Sequence, residues 1–300
     1  MSFTVALEYT PRCPVPGRTF TESSFTRQQV PFTFEVSSVG VALVDLWNIG
    51  WQGGPVSPTL GLEQSLERGR SHAERKQQII QTKIVPAVNQ LRALGVQIFH
   101  CNHAPFLRRF PAQWSASTTE QERQAAEPKP QSGPLPASAS QNSREPLSPQ
   151  WPPQNWVSGW QKQQREQVFG SDEWMAVQGK EVYPNIAIPA PIAPQNGDLL
   201  VYSTAQFHRL LTEKRVRALF YMGFETDECI QFSAYGMANI QSFGYLCSVV
   251  RECTTTYESA ETLDGLWKTR LAINSIEARW GYSVGLDALL NAVKTQKEAA

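Results

Sequence analysis

The sequence predicts an α/β fold built as three layers around a doubly wound, mostly parallel sheet of about six strands. Three observations predict it. Short apolar runs such as Val39–Val44 and Leu219–Met222 lack the alternation of a half-exposed strand, as expected of parallel strands covered on both faces. Helical stretches separate the runs, so strand, helix, strand is the repeating unit. Residues able to carry chemistry, Asp45, His103 and Cys229, follow the carboxyl ends of these runs, where open α/β sheets bind their ligands.

Residues 1–38 read as an N-terminal arm, extended or in short strands on the surface, and residues 39–298 as a single domain with an insertion over 104–197. Val39–Asp45, VGVALVD, is the first strand, with Asp45 at its carboxyl end. Trp47, Asn48 and Trp51 follow in a turn, where the two indoles either line a pocket or cover the sheet edge. Ser71–Leu94 is helical, with Ile80, Ile84, Val88 and Leu91 on one face and Gly95 ending it; Pro86 must kink this helix or begin a second one. Val96–His100 is the second strand and delivers Cys101, Asn102 and His103 beside Asp45.

From Ser115 to Gln154 the chain turns to Ser, Gln, Ala and Pro, too little apolar content to offset the entropy of ordering, which reads as a surface insertion. Trp151, Trp156, Trp160 and Trp174 then bring it back, as a lid, a subunit contact or an ordinary local core. Asp198–Ser203 is the third strand, and Ala205–Leu211 begins its helix. Leu219–Met222 is the fourth. Thr226 is placed as the N-cap of a helix running to Gly244, with Cys229 three residues beyond the cap, near unpaired N–H groups that would lower its pKa. Tyr245–Val250 is the fifth strand, a helix runs from about Glu258 into Ile276, and Tyr282–Val284 precedes a last helix.

Composition excludes several classes. With 27 basic and 27 acidic side chains there is no net charge to steer the chain toward nucleic acid or an anionic membrane. No apolar run approaches a membrane span, and the amino terminus has neither a basic lead nor an apolar signal core, so the expected location is cytoplasmic. The five cysteines include no CxxC pair, which suggests neither a disulfide framework, a zinc ribbon nor a thiol redox protein. His100 and His103 make an incomplete metal set, so no metal and no cofactor is expected.

The segment Gly223-Phe-Glu-Thr-Asp-Glu-Cys229-Ile resembles the nucleophile segment of the isochorismatase-like cysteine hydrolases, and Asp45 with Asn48 resembles the end of that family's first strand. The resemblance spans Val39–His103 and Asp198–Val293 and leaves the arm and the insertion unmatched. It implies the same Rossmann-type fold, Cys229 as nucleophile, Asp45 as its base, a cis peptide between Phe224 and Glu225, a homo-oligomer, and hydrolysis of a small amide, ureide or related C–N compound. Trp47, Asn48, Trp51, His103, Tyr202, Phe207 and Glu225 are the expected substrate-binding residues.

The sequence departs from the family after the third strand. A lysine is usual there, whereas this chain has Tyr202, Ser203 and Thr204. That ammonium would stabilise negative charge in the transition state. Lys180 or Lys162 could reach the site after the insertion, Tyr202 or His103 could take over the polar role, or the protein could be a non-catalytic binding or scaffold member of the same fold.

Overall fold

The computed structural model describes residues 1–14, 16–66, 68–126 and 152–294. Eight strands form one sheet: β1 (Ser2–Tyr9), β2 (Gln28–Glu35), β3 (Val39–Val44), β4 (Gln97–Cys101), β5 (Leu199–Val201), β6 (Ala218–Gly223), β7 (Leu246–Thr254) and β8 (Tyr282–Val284). Their order is β2-β1-β8-β7-β6-β3-β4-β5. Every pair from β8 across to β5 is parallel. These six are the strands that the sequence predicts. The count rises to eight because β1 and β2 pair antiparallel with each other and β1 adds to the edge of β8. Period-2 alternation in β1 explains its place, since Phe3, Val5 and Leu7 are buried while Thr4 and Ala6 face out.

Side-chain alternation along β3 feeds two cores. Val41 and Leu43 pack with Ile80, Ile84, Val88 and Leu289 on one face, whereas Ala42 and Val44 pack with Phe207, Ile230, Ile240 and Ile276 on the other. Helices Arg70–Ile79, Val85–Ala93 and Leu286–Lys294 therefore cover the first face, and Thr204–Glu213, Met237–Gln241 and Trp267–Arg279 the second. The predicted helix of Ser71–Leu94 is in two parts joined by a wide π-type turn at Ile80–Ile84, with Pro86 in the first turn of the second part. There its missing N–H costs little.

The winding positions the site. From β3 the chain proceeds outward to β4 and β5, then crosses back to β6 on the other side of β3 and winds the opposite way through β7 and β8. The switch point lies between β3 and β6, whose registers align Val44 with Gly223. Of the insertion, Pro111–Ser117 and Glu120–Ala125 are helical, the latter closed by a Thr119–Glu122 capping box, and Gln154–Phe169 is a helix with no buried residue. Trp151 lies outside the described residues; the Trp156 and Trp160 rings lie 6.0 Å apart and tilted at 56° on that exposed helix, and Trp174 Nε1 donates to Gln64 O. Among the described residues no helix is long and apolar enough to cross a membrane.

Candidate active site

Asp45 follows β3 in a left-handed conformation (φ 46°), which turns its carboxylate across the switch point. Cys229 opens the single-turn helix Cys229–Phe232 after β6. Both line one cavity of about 410 Å³. Asp45 Oδ1 accepts a 2.7 Å hydrogen bond from the Tyr235 hydroxyl, while Oδ2 is buried without a hydrogen-bond partner among the described residues. Across this cavity the carboxylate and the Cys229 thiol shift each other's protonation in opposite senses. Burial raises the Asp45 pKa, against the pull of His103, Cys229, Tyr235 and Lys76. Burial, then the negative charge of Asp45, push the Cys229 thiol well up, and Glu228 and Glu225 add to this.

That direction corrects the expectation of a depressed thiol pKa. Thr226 does not cap a long helix: its hydroxyl bonds to Thr254 Oγ1 at 2.7 Å and its N–H to Thr255 O, which ties this loop to the end of β7. The residue before Cys229, Glu228, is the N-terminal flank and makes no side-chain cap. The helix ends after one turn at Ser233, and a second begins at Met237. One turn offers little macrodipole, so burial and carboxylates prevail. The peptide between Phe224 and Glu225 is cis, at the bond where the family resemblance puts it.

The cavity wall combines aromatic rings with a few charges. Trp47, His103 and Phe106 form one side, with the Trp47 and His103 rings 5.8 Å apart and Trp47 Nε1 donating to Asn102 Oδ1 at 3.0 Å. Tyr183 and Tyr257 close other parts of the rim. Lys76 and Glu225 face each other within it, Nζ to Oε1 at 2.8 Å. Burial alone would raise the Glu225 pKa, but Lys76 and His72 outweigh it and hold this carboxylate below its ordinary value.

The structure thus brings Asp45, Cys229, Trp47, His103 and Glu225 together and places four other predicted residues elsewhere. Asn48 instead clips the segment carrying Tyr183, its Oδ1 accepting from Ala187 N at 2.8 Å. Trp51 is buried in the first core, and the turn before it meets the Arg70–Ile79 helix, where a Cβ on Gly50 would lie 2.4 Å from that of Ala73. The Tyr202 hydroxyl donates to Glu122 O at 2.6 Å and its ring packs on Trp114, beneath the insertion. Phe207 stacks edge-on against Phe99 in the second core, as an inward position of its helix.

Neither lysine considered from the insertion lines the cavity: Lys162 is an exposed partner of Glu166, and Lys180 lies in the segment Gln178–Val182 without reaching the wall. Lys76 does, and the sequence carried a sign of it. It stands four residues before Ile80 and continues the apolar stripe of Ile80, Ile84 and Val88, a lysine on an inward face. Tyr235 carried no such sign, because its approach to Asp45 depends on the break between the two short helices. Among the described residues no cluster of three His, Cys, Asp or Glu is arranged to hold a metal ion.

No family model matches the chain, and no curated protein matches it. Solved structures do. A cysteine hydrolase from Pseudomonas syringae pv. phaseolicola 1448A is similar at 12% identity, over 87% of this chain and 95% of that one, with a TM-score of 0.47. An isochorismatase from Pseudomonas putida KT2440 is similar at 12% identity, over 85% and 91%, with a TM-score of 0.42. An isochorismatase family protein from Burkholderia thailandensis is similar at 13% identity, over 86% and 96%, with a TM-score of 0.40. The chain is thus similar to each of these three solved structures along most of its length, at low sequence identity.

Proposed function

We propose that the protein is a cysteine hydrolase acting on a small amide, ureide or related C–N substrate, with Cys229 as nucleophile and Asp45 as its base. The observation that carries this reading is the meeting of a thiol and an unsatisfied carboxylate oxygen at the switch point of the sheet, in a cavity of small-molecule size. At neutral pH the thiol is protonated, so attack needs the proton removed as the S–C bond forms. Asp45 Oδ2 accepts it, and the oxyanion faces the backbone N–H of Cys229, its two neighbours' N–H groups being held by the Glu225 carbonyl. The proton then passes from Asp45 to the departing nitrogen as the C–N bond breaks, and water, deprotonated by Asp45, releases the acid from the thioester. The five cysteines are all free, which suits a reducing compartment.

The test is ammonia or amine release from a panel of small primary amides and ureides, together with mass mapping after 2-chloroacetamide. Cys229→Ala is expected to abolish release, and the electrophile to modify Cys229 along with the exposed Cys13. Release that survives Cys229→Ala sinks the reading, as does a panel without turnover combined with labelling of Cys13 alone. One observation favours a second reading, a binding protein on the same scaffold: the cavity ammonium is paired with Glu225, and the thiol is left among carboxylates.

A further inference from the structure

Among the described residues the cavity is lined by three carboxylates, Asp45, Glu225 and Glu228, and by a single lysine or arginine, Lys76. Its position is built, not incidental. Arg75 Nη2 donates to His72 Nδ1 at 3.1 Å, which leaves the imidazole proton on Nε2 to be donated to Glu225 Oε1 at 3.2 Å. The same oxygen receives Lys76 Nζ at 2.8 Å. Arg75 is itself tied to Thr255 Oγ1 and Thr256 O, so the chain of contacts fastens the helix after β3 to the loop after β7. The side chain of Glu225 is 4% exposed and its second oxygen is sealed, whereas Lys76 is 12% exposed, so the ion pair presents its positive end to the cavity. That end sits 5.1 Å from the Phe224 ring and 6.0 Å from the Trp47 ring, the residues that flank the β6 and β3 ends of the switch point.

We propose that Lys76 is the ammonium serving the Cys229–Asp45 pair, supplied by the helix after β3 and held in place by Glu225, His72 and Arg75. A buried carboxylate placed beside a buried thiol needs a nearby positive charge to remain ionised, and an ammonium attached to an anchored helix costs no reorganisation when negative charge develops. Its effect on Asp45 is in the required direction. The proposal rests on the reading of Cys229 as nucleophile, but its test requires no turnover.

Two reagents of nearly equal size, anionic iodoacetate and neutral iodoacetamide, are used to alkylate the full-length protein, and their rates at Cys229 and at exposed Cys13 are followed by mass spectrometry. An ammonium facing the cavity favours the anion. The iodoacetate to iodoacetamide ratio at Cys229 is expected to fall about fivefold or more in Lys76→Met and to stay within about twofold in Lys76→Arg, with the Cys13 ratio unchanged in both. The double variant Lys76→Met, Glu225→Gln removes both ions of the buried pair with near-isosteric side chains and guards against misfolding of the single variant. It is expected to show a fall in the same direction, smaller than in the single variant because the Glu225 charge that also acts on Cys229 is removed with it. A Cys229 ratio unchanged in folded Lys76→Met or in the double variant overturns the proposal. A fall in the ratio with no hydrolysis of any amide supports the placement of Lys76 and counts against the hydrolase reading alone.

Discussion

Asp45 and Cys229 set each other's protonation, and the signs have measurable consequences. Because burial and then Asp45 raise the thiol pKa, the thiolate fraction at neutral pH is small and keeps growing as pH rises. Alkylation of Cys229 by iodoacetamide should therefore still be accelerating above the ordinary thiol value of about 8.5, whereas exposure of the thiol alone would give a plateau near it. Asp45→Asn removes one of the two leading causes of the shift, so the pH profile of Cys229 alkylation should move to lower pH. Amide turnover should fall by about 10² to 10⁴, because the base is lost. An alkylation profile that does not move in this variant would show that Asp45 does not act by charge on this thiol. Residue types made Asp45 and Cys229 legible in the sequence, since each follows an apolar strand. Tyr235 carried no sign there and Lys76 only its place on an inward helix face, because their partners, Asp45 and Glu225, lie 190 and 149 residues away along the chain.

At the scale of elements, the site depends on how closely β3 and β6 approach at their carboxyl ends. Gly223 has φ 126° and a Cβ built there would lie 2.0 Å from the Val44 carbonyl oxygen. Gly223→Ala should therefore destabilise the fold by at least about 3 kcal/mol, combining backbone strain with overpacking between rigid strands. Urea unfolding measures this, and an unchanged midpoint would mean that the two strand ends are looser than the register implies. The apolar runs announced all six parallel strands, with boundaries that moved by a few residues. The helix after Cys229 was drawn too long because Ile230, Ala234, Met237 and Ala238 fit one helical pattern even though a turn at Ser233–Gly236 divides them and leaves Ala234 exposed. Gly236 belongs to that turn, where a Cβ would meet Gln231 backbone atoms at 2.7 Å.

For the molecule as a whole, the N-terminal segment behaves as part of the sheet. Phe3, Val5 and Leu7 are buried in the first core, and Glu8 joins Arg251 of β7 at 2.9 Å, while Arg251 also donates to Ser283 of β8. Three such side chains at roughly 1.5–3 kcal/mol each rival the roughly 5–15 kcal/mol by which domains are stable. A chain lacking residues 1–38 should therefore unfold or aggregate through the uncovered β8 edge. Circular dichroism and size-exclusion chromatography would detect this, and a folded monomer with the full-length melting temperature would contradict it. The sequence by itself determined the parallel strands, the placing of Asp45 and Cys229 at strand ends, and the segment Gly223–Ile230 by which the family is resembled, because periodicity, turn residues and motif spacing are local. Only the tertiary structure decided that β1 and β2 extend the sheet, that Trp51, Tyr202 and Phe207 serve the interior, and that Lys76 faces the cavity. Those outcomes depend on which surfaces meet across distant parts of the chain, and on burial that no single segment encodes.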